Sequence, residues 1–304
     1  IEDRTEMVPF LCKDEEGYTR VVPFGAEFIC EHKETQRSGR RTYYEWHMAE
    51  NQEIYLLGSA VIEPIAAYSL AGEAVGMVYH AASRKMLALC GQGVAGQAAT
   101  VQAFRQRGLE KIPTGPDSRA HLSFTVPGAV GAYLLLLADY GTKTVQEVLQ
   151  PAIDCAEKGF PMYQYMHRVL NGRGMKQAFD RYPPGGTEVF YPGGQTPAVG
   201  SLFVQPRLAG TLRLLVEAER GTGESRREGI EAARKVFYEG EVARCITDFS
   251  NRVGGFLQAA DLREFRARFE TPIHTTFAGF KICTQSTWTQ GAVLLQVLNM
   301  LEHV

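Results

Sequence analysis

The fold of this chain is decided by the stretch Gly291-Ala292-Val293-Leu294-Leu295-Gln296-Val297-Leu298-Asn299-Met300-Leu301-Glu302. A segment that predicts a β-hairpin, residues 272–282, comes just before it. Further upstream lies Phe237-Tyr238-Glu239-Gly240-Glu241-Val242-Ala243. Each piece alone is a weak signal, but their order and spacing together are specific.

The composition is that of an ordinary globular protein. The 304 residues are 45% hydrophobic and 22% charged, enough for one large domain or two small ones. The formal net charge of −2 gives no reason to expect nucleic acid or a membrane surface as partner. The longest apolar run, residues 129–138, is too short to cross a bilayer, which takes about 20 residues. The charged tract 31–41 predicts a solvated loop.

The cysteines and histidines predict neither a metal site nor a cofactor. The six cysteines are far apart and form no C-x-x-C pair, and the seven histidines never recur at i, i+3 or i, i+4. Free, buried thiols are therefore expected, which favours the cytoplasm, although disulfides stay open as the alternative. The cysteines are Cys12, Cys30, Cys90, Cys155, Cys245 and Cys283.

The middle of the chain begins with strands and continues with helices. Two apolar runs, 75–79 and 85–90, predict a β-hairpin in a sheet that is covered on both faces. After residue 128 the period changes to that of a helix, and four residues are expected to share one face. These are Val130, Tyr133, Leu134 and Leu137.

A capping box predicts the start of the next helix. The Thr144 hydroxyl can accept from the amide of Glu147, whose carboxylate can reach back. The expected buried stripe consists of Val148, Leu149, Ile153 and Ala156. Pro151 is expected to kink or split this helix, and Gly159 is expected to end it.

The remaining pattern indicates an α+β protein. Glycine and proline are abundant in residues 171–200, which predicts a long surface excursion. Helices are predicted at 208–220, 226–238 and 241–253, and strands follow. Strands, a block of helices and strands again are typical of an α+β or layered αββα domain.

Taken together, these segments resemble the large subunit of the γ-glutamyltranspeptidase family of N-terminal-nucleophile hydrolases. The resemblance runs from about Glu63 to Glu302, with further matches at residues 126–128, 147–153, 157–161, 205–212 and 254–257. It implies an αββα sandwich with a helical segment, of which residues 54–304 form the large-subunit portion. Residues 1–53 do not fit the family and are expected to be an extension of unknown role.

The resemblance also implies a mechanism and a partner. In the family, a precursor cleaves itself and the new N-terminal threonine of the small subunit becomes the nucleophile. This chain is then expected to carry no catalytic residue. It would pair with the small subunit from the same precursor, with a dimer of such heterodimers possible, and act on a small-molecule amide by hydrolysis or acyl transfer.

Two departures from the family pattern concern the substrate. The family has Asp-Gly-Arg-Glu where this chain has Cys90-Gly91-Gln92-Gly93, and that arginine holds the α-carboxylate of a γ-glutamyl group. Loss of one partner of a buried charge pair costs about 3–5 kcal/mol, so we expect an acylase-like member rather than a true γ-glutamyl enzyme. The alternative is that Gln92 is a plain loop residue and another cation does this work.

The second departure replaces the family's Pro-Pro-Pro-Ser-Ser-Gly turn with residues 285–291. Trp288 in this turn is expected either to line an apolar acyl pocket or to pack on the sheet. Tyr68, in a stretch where the family's glycines have been lost, is a weaker candidate for the same wall.

Two other interpretations remain. The lost arginine and glycines also suit a non-catalytic homologue that serves as a binding or assembly module. A nucleophilic Cys90 or Cys155 would need a histidine partner, and no such arrangement is visible in the sequence.

Overall fold

The computed structural model describes residues 70–302, except 114–118, 181–185 and 224, and the backbone of four strands between residues 10 and 47. The chain divides into two compact units, residues 1–60 and residues 61–304. The predicted boundary between an extension and a large-subunit portion, after residue 53, stays a prediction.

The described elements of residues 70–302 follow the coarse order that the sequence predicted, which is strands, a block of helices and strands again, with several short helices and strands that were not predicted. The strands are β1 Phe10–Asp14, β2 Gly17–Val21, β3 His32–Ser38, β4 Arg41–His47, β5 Ala74–His80, β6 Lys85–Gly91, β7 Phe160–Pro161, β8 Leu202–Phe203, β9 Arg268–Glu270, β10 Ile273–Phe277 and β11 Phe280–Thr284. The helices are α1 Val101–Gln106, α2 Ala129–Tyr140, α3 Val145–Lys158, α4 Gln164–Leu170, α5 Met175–Asp180, α6 Gly186–Phe190, α7 Pro206–Thr222, α8 Arg226–Tyr238, α9 Glu241–Val253, α10 Ala259–Glu264 and α11 Gly291–Leu301.

The N-terminal unit contains two antiparallel hairpins, β1–β2 and β3–β4. The loop predicted for residues 31–41 is therefore wrong, since β3 occupies most of it. Its pairing partner β4 contains two tyrosines and a tryptophan, which favour strands. The charged sequence of β3 by itself did not reveal this pairing.

The sheet of the larger unit has the strand order β5-β6-β9, all antiparallel. The predicted hairpin of residues 75–90 is confirmed. One face of the sheet packs on α2, where Ala74 and Leu89 contact Ala129 and Ala132. Successive residues of a strand face opposite sides, so the other face carries Val75, Met77 and Tyr79 of β5, which are exposed. The prediction of a sheet covered on both faces thus fails for β5 within the described residues.

The main core lies where α2, α3, α7 and α8 pack together. Its buried residues include Val130, Leu134, Val145, Ile153, Leu212, Leu215, Ile230, Ala233, Phe237 and Tyr238. Two predicted core positions are wrong, because Tyr133 and Val148 are 48% and 49% exposed. α2 is buried on two sides, by the sheet and by α8, and Tyr133 lies on neither. The buried side of α3 passes through Val145, Leu149 and Ile153, so it includes the residue after Val148 and not Val148 itself.

The predicted start and end of α3 are confirmed. Thr144 accepts from the amide of Glu147, the Glu147 carboxylate accepts from the amide of Thr144, and Gly159 follows the last helical residue. α3 continues without a break through Pro151. Of the two expected effects of Pro151, the split is wrong, because buried residues on both sides of it pack the two halves into one core, and the kink stays a prediction.

The segment 171–200 lies mostly at the surface, as predicted, since Tyr191 is its only buried residue among those described, but it is not an irregular excursion. α5 and α6 lie in this segment, and Tyr191 is buried with Met162, Met166, Leu170 and Phe203 in a second small core. The Tyr191 hydroxyl donates to the Leu170 carbonyl at 2.7 Å. Aromatic residues between the glycines and prolines supply enough apolar surface to fold the segment.

The hairpin that precedes the decisive stretch is confirmed as β10–β11, with Phe277 opposite Phe280. Ala278 and Gly279 both have positive φ, as a tight hairpin turn requires. α11 contacts β10 and β11. None of the helices in the described part of the chain is long and apolar enough to cross a membrane.

Candidate functional site

Gln92 lies directly after β6, in a loop fixed by close backbone packing. It is half-buried and stands between Gly91 and Gly93. A Cβ at Gly93 would overlap the Val126 carbonyl, and one at Gly128 would overlap the Gly91 carbonyl. Only glycine allows these backbones to approach so closely. The segment 126–128 before α2 therefore holds the backbone on both sides of Gln92.

Asp261 holds the far end of the same loop. Its side chain is buried, at 5% exposed. One carboxylate oxygen accepts from the Gln97 amide at 2.9 Å, and the other accepts from the Gln258 amide at 2.9 Å. The Val126 amide also donates to the Val94 carbonyl at 2.9 Å. The loop after β6 is thus anchored to α10 as well as to the start of α2.

Tyr238 completes this support from α8. Its hydroxyl donates to the Pro127 carbonyl at 2.6 Å and accepts from the Gly131 amide at 2.9 Å. The side chain is fully buried, and this burial raises the pKa of the Tyr238 hydroxyl. The hydroxyl therefore stays protonated and can donate at any ordinary pH. Tyr238 fixes the segment against which the Gln92 loop packs.

Trp288 lies beside β9, which is an edge strand of the β5-β6-β9 sheet. Its indole N–H donates to Glu270 Oε2 of β9 at 2.8 Å, while 37% of the residue stays exposed. Glu270 also forms an ion pair with Arg268, whose Nη2 lies 2.6 Å from Oε1. The hydrogen bond from Trp288 is the largest of the interactions that lower the pKa of Glu270. Trp288 is therefore tied to the sheet and still presents part of its ring outward.

Gln285 attaches the start of the same turn to the sheet. It is 5% exposed, and its Nε2 donates to the Gly76 carbonyl of β5 and to the Leu89 carbonyl of β6, the latter at 3.1 Å. Its Oε1 is buried and has no hydrogen-bond partner among the described residues. The turn thus spans the pair β5–β6 at one end and reaches β9 through Trp288.

The three predicted site residues do not form one group in the described structure. Gln92 and Trp288 both lie at the β5-β6-β9 sheet, but no hydrogen bond joins them within the described residues. Glu270, the partner of Trp288, stands opposite Ala88 in the register, four residues before Gln92. Tyr68 lies outside the described residues, and its role stays a prediction.

Sequence reasoning did not find Asp261, Tyr238, Gln285 or Glu270. Their partners lie up to 209 residues away in the chain, and no local pattern signals such contacts. Trp288 was identified only because it departs from a family turn.

The cysteines do not form a nucleophilic site in the described part of the chain. Cys90 is buried, with only 2% of the residue exposed. Cys155 and Cys245 are exposed, so the expectation of buried thiols is wrong for these two. Cys12 and Cys30 lie where side chains are not described. Among the described residues, no group of three or more histidine, cysteine, aspartate or glutamate side chains is placed to hold a metal ion.

A structural likeness defines the fold of the larger unit. The solved γ-glutamyltranspeptidase of Helicobacter pylori superposes with a TM-score of 0.68 at 27% identity, over 81% of this chain and 65% of that one. This likeness confirms the N-terminal-nucleophile hydrolase fold, with helices and sheets in one α+β domain.

The family follows from the sequence match. Residues 56–304 match the model of the γ-glutamyltranspeptidase family, and this chain belongs to that family. It is 28% identical to the glutathione hydrolase-like YwrD proenzyme of Bacillus subtilis over 77% of its length. It is 33% identical to the acylase ACY 1 proenzyme of Pseudomonas sp. strain V22 over 58% of its length. The chain spans 40% and 29% of these two relatives.

Proposed function

We propose that this chain is the large subunit of a self-processed amide hydrolase or acyltransferase whose nucleophile is a threonine on a partner subunit. Family membership supports this proposal, as do the two relatives named proenzymes, a glutathione hydrolase-like protein and an acylase. Of the two cysteines that could compete as the nucleophile, Cys90 is buried, and exposed Cys155 has no hydrogen bond to a histidine among the described residues.

The observation that carries the proposal is an uncovered apolar surface on the larger unit. Val75, Met77 and Tyr79 of β5 are 45%, 38% and 58% exposed. α11 also exposes one apolar side, consisting of Val293, Leu294, Val297, Met300 and Leu301. Adjacent exposed apolar side chains of this kind mark an interaction surface. We infer that β5 is covered by the small subunit.

The mechanism assigns the chemistry to that partner. The threonine hydroxyl attacks the amide carbonyl, its own α-amine takes the proton, and backbone amides stabilise the oxyanion. The C–N bond then breaks, the amine leaves with that proton, and water or another amine releases the acyl group from the threonine. An α-amine with a pKa of about 7.7–8.0 is well matched to this task. This chain would supply one wall of the acyl pocket and the residues that hold that wall in place.

The substrate follows from Gln92. In this proposal the Gln92 amide occupies the position of the family's arginine and is held there by the packing of Gly91, Gly93 and Gly128. A neutral amide pairs poorly with a desolvated carboxylate, so an acyl group without an α-carboxylate is favoured. The loss of such a charge pair, about 3–5 kcal/mol, corresponds to more than a hundredfold in affinity.

The first experiment is intact-mass spectrometry with N-terminal sequencing of the native protein. A co-purifying chain that begins with threonine is the expected result. A single unprocessed polypeptide would overturn the proposal in favour of a non-catalytic binding module.

The second experiment compares γ-glutamyl and simple acyl p-nitroanilides. We expect faster cleavage of the simple acyl substrate, and we expect Gln92→Arg to shift kcat/KM toward the γ-glutamyl substrate by about tenfold or more. Gln92→Met is the control, because it keeps the size of the side chain without the charge. Preference of the native protein for the γ-glutamyl substrate would refute the substrate assignment.

A further inference from the structure

Glu270 occupies an unusual position for a carboxylate, on a face of the sheet next to apolar strands. Its neighbours Ala267 and Phe269 pack toward α2, so Glu270 and Arg268 face the opposite side. Only 17% of the Glu270 side chain is exposed. Such a group is retained in a semi-buried position only when hydrogen bonds satisfy it.

Two groups satisfy the carboxylate. The Trp288 indole N–H donates to it at 2.8 Å, and the Arg268 guanidinium of the same strand forms an ion pair with it at 2.6 Å. Arg268 is 59% exposed and has water as an alternative partner. The indole has a single donor and no acceptor. Its bond to Glu270 therefore fixes the direction in which the ring points.

The backbone of the turn is anchored independently of Glu270. Gln285 binds the carbonyls of Gly76 and Leu89. Within the turn, the Thr289 amide donates to the Ser286 carbonyl at 3.1 Å. Removal of the Glu270 carboxylate is therefore expected to release the indole ring while the turn stays in place.

We propose that Glu270 is a positioning residue that holds the Trp288 ring in place as an apolar wall of the acyl-binding pocket. The proposal deepens the substrate assignment given above and rests on it. Because the indole N–H is already bound to Glu270, the ring presents a carbon surface rather than a free donor. The substrate class favoured by this wall is an amide with an apolar, preferably aromatic, acyl group.

The first test measures Trp288 without any substrate. The fluorescence of Trp288 is isolated by subtraction: the signal of the wild type, E270A or E270Q is compared with the signal of the same protein that also carries W288F. Acrylamide quenching of this difference signal is compared for the wild type, E270A and E270Q. We expect the quenching constant to rise about twofold or more in E270A. In E270Q, whose amide oxygen still accepts, we expect it to stay close to the wild-type value.

The matched control is E157A, which removes a carboxylate paired with Arg213 on the helices α3 and α7. It is expected to leave the Trp288 signal unchanged. Equal quenching in E270A and the wild type, with both proteins folded by circular dichroism, would overturn the proposal. An equal rise in E270A and E157A would show a general loosening of the protein and would also overturn it.

The second test separates this inference from the proposed function. We expect E270A to lower kcat/KM about tenfold for an aromatic acyl p-nitroanilide and much less for the acetyl compound, with E270Q restoring most of the difference. Equal losses for both substrates would refute the role in acyl selectivity. If no variant or wild type cleaves any amide, the proposed function fails, while the quenching result still decides whether Glu270 positions the ring.

Discussion

Removal of the Tyr238 hydroxyl should destabilise the protein far more than loss of one exposed hydroxyl would. The hydroxyl stands between the Pro127 carbonyl and the Gly131 amide, where the next hydrogen bond of α2 would otherwise form. Tyr238→Phe keeps the ring and leaves both backbone groups buried without a partner. Each such group costs about 1–3 kcal/mol. Because the two groups are close enough to rejoin partly, we expect a total loss of about 2 kcal/mol.

The assay is urea unfolding, supported by thermal unfolding. A loss of about 2 kcal/mol corresponds to a fall in Tm of roughly 3 °C for a protein of this size. Tyr133→Phe is the matched control, because Tyr133 lies on α2 and is 48% exposed. It should change the free energy of unfolding by less than about 0.5 kcal/mol. Equal effects of the two substitutions would refute the reasoning that Tyr238 supports the start of α2.

Two further predictions concern glycines and helix caps. Gly93→Ala places a Cβ against the Val126 carbonyl and should destabilise the protein by about 1–3 kcal/mol. Gly210→Ala, in open space on α7, should stabilise it by about 0.5–1 kcal/mol. Thermal unfolding of both variants tests this, and equal shifts in Tm would contradict the packing argument. Hydrogen bonds from the Thr144 amide and from Lys143 lower the pKa of Glu147 from the ordinary 4.5, and hydrogen bonds from the Ser225 hydroxyl and amide lower the pKa of Glu228 in the same way. Their contribution is present above pH 4.5 and is lost as the pH falls through the folded-state pKa. E147Q/E228Q should therefore flatten the fall of stability between about pH 5 and pH 3 in urea unfolding, and an unchanged slope would exclude the caps as its source.

Local patterns predicted the elements that depend on neighbours in the chain. The capping box at Thr144 and Glu147 needs residues three apart, and the helix 226–238 shows its own apolar period. Both were predicted with the bounds that the structure has. Patterns failed where a distant element decides the outcome, as for Tyr133, whose exposure depends on which sides of α2 the sheet and α8 cover.

The candidate site was predictable only in part. Gln92 and Trp288 were identified because each replaces a residue of a family motif, and such a replacement can be read from a single sequence. Their supports were not visible. Asp261 reaches the Gln97 amide across 164 positions and Tyr238 reaches Gly131 across 107. Hydrogen bonds of this kind depend on where packed helices and strands meet, and the spacing of residues along the chain does not reveal where they meet.

The sequence by itself determined the main helices, the two hairpins of the larger unit, the family and the two positions where this chain differs from it. These properties depend on local propensity, hydrophobic period and motif order, all of which are written along the chain. Only the tertiary structure decided which side chains hold the Gln92 loop and the Trp288 ring, and which apolar face of β5 is left uncovered. The physical reason is that burial and hydrogen bonding are fixed when α2, α8, α10 and the sheet pack together, and the same local patterns are compatible with many such packings.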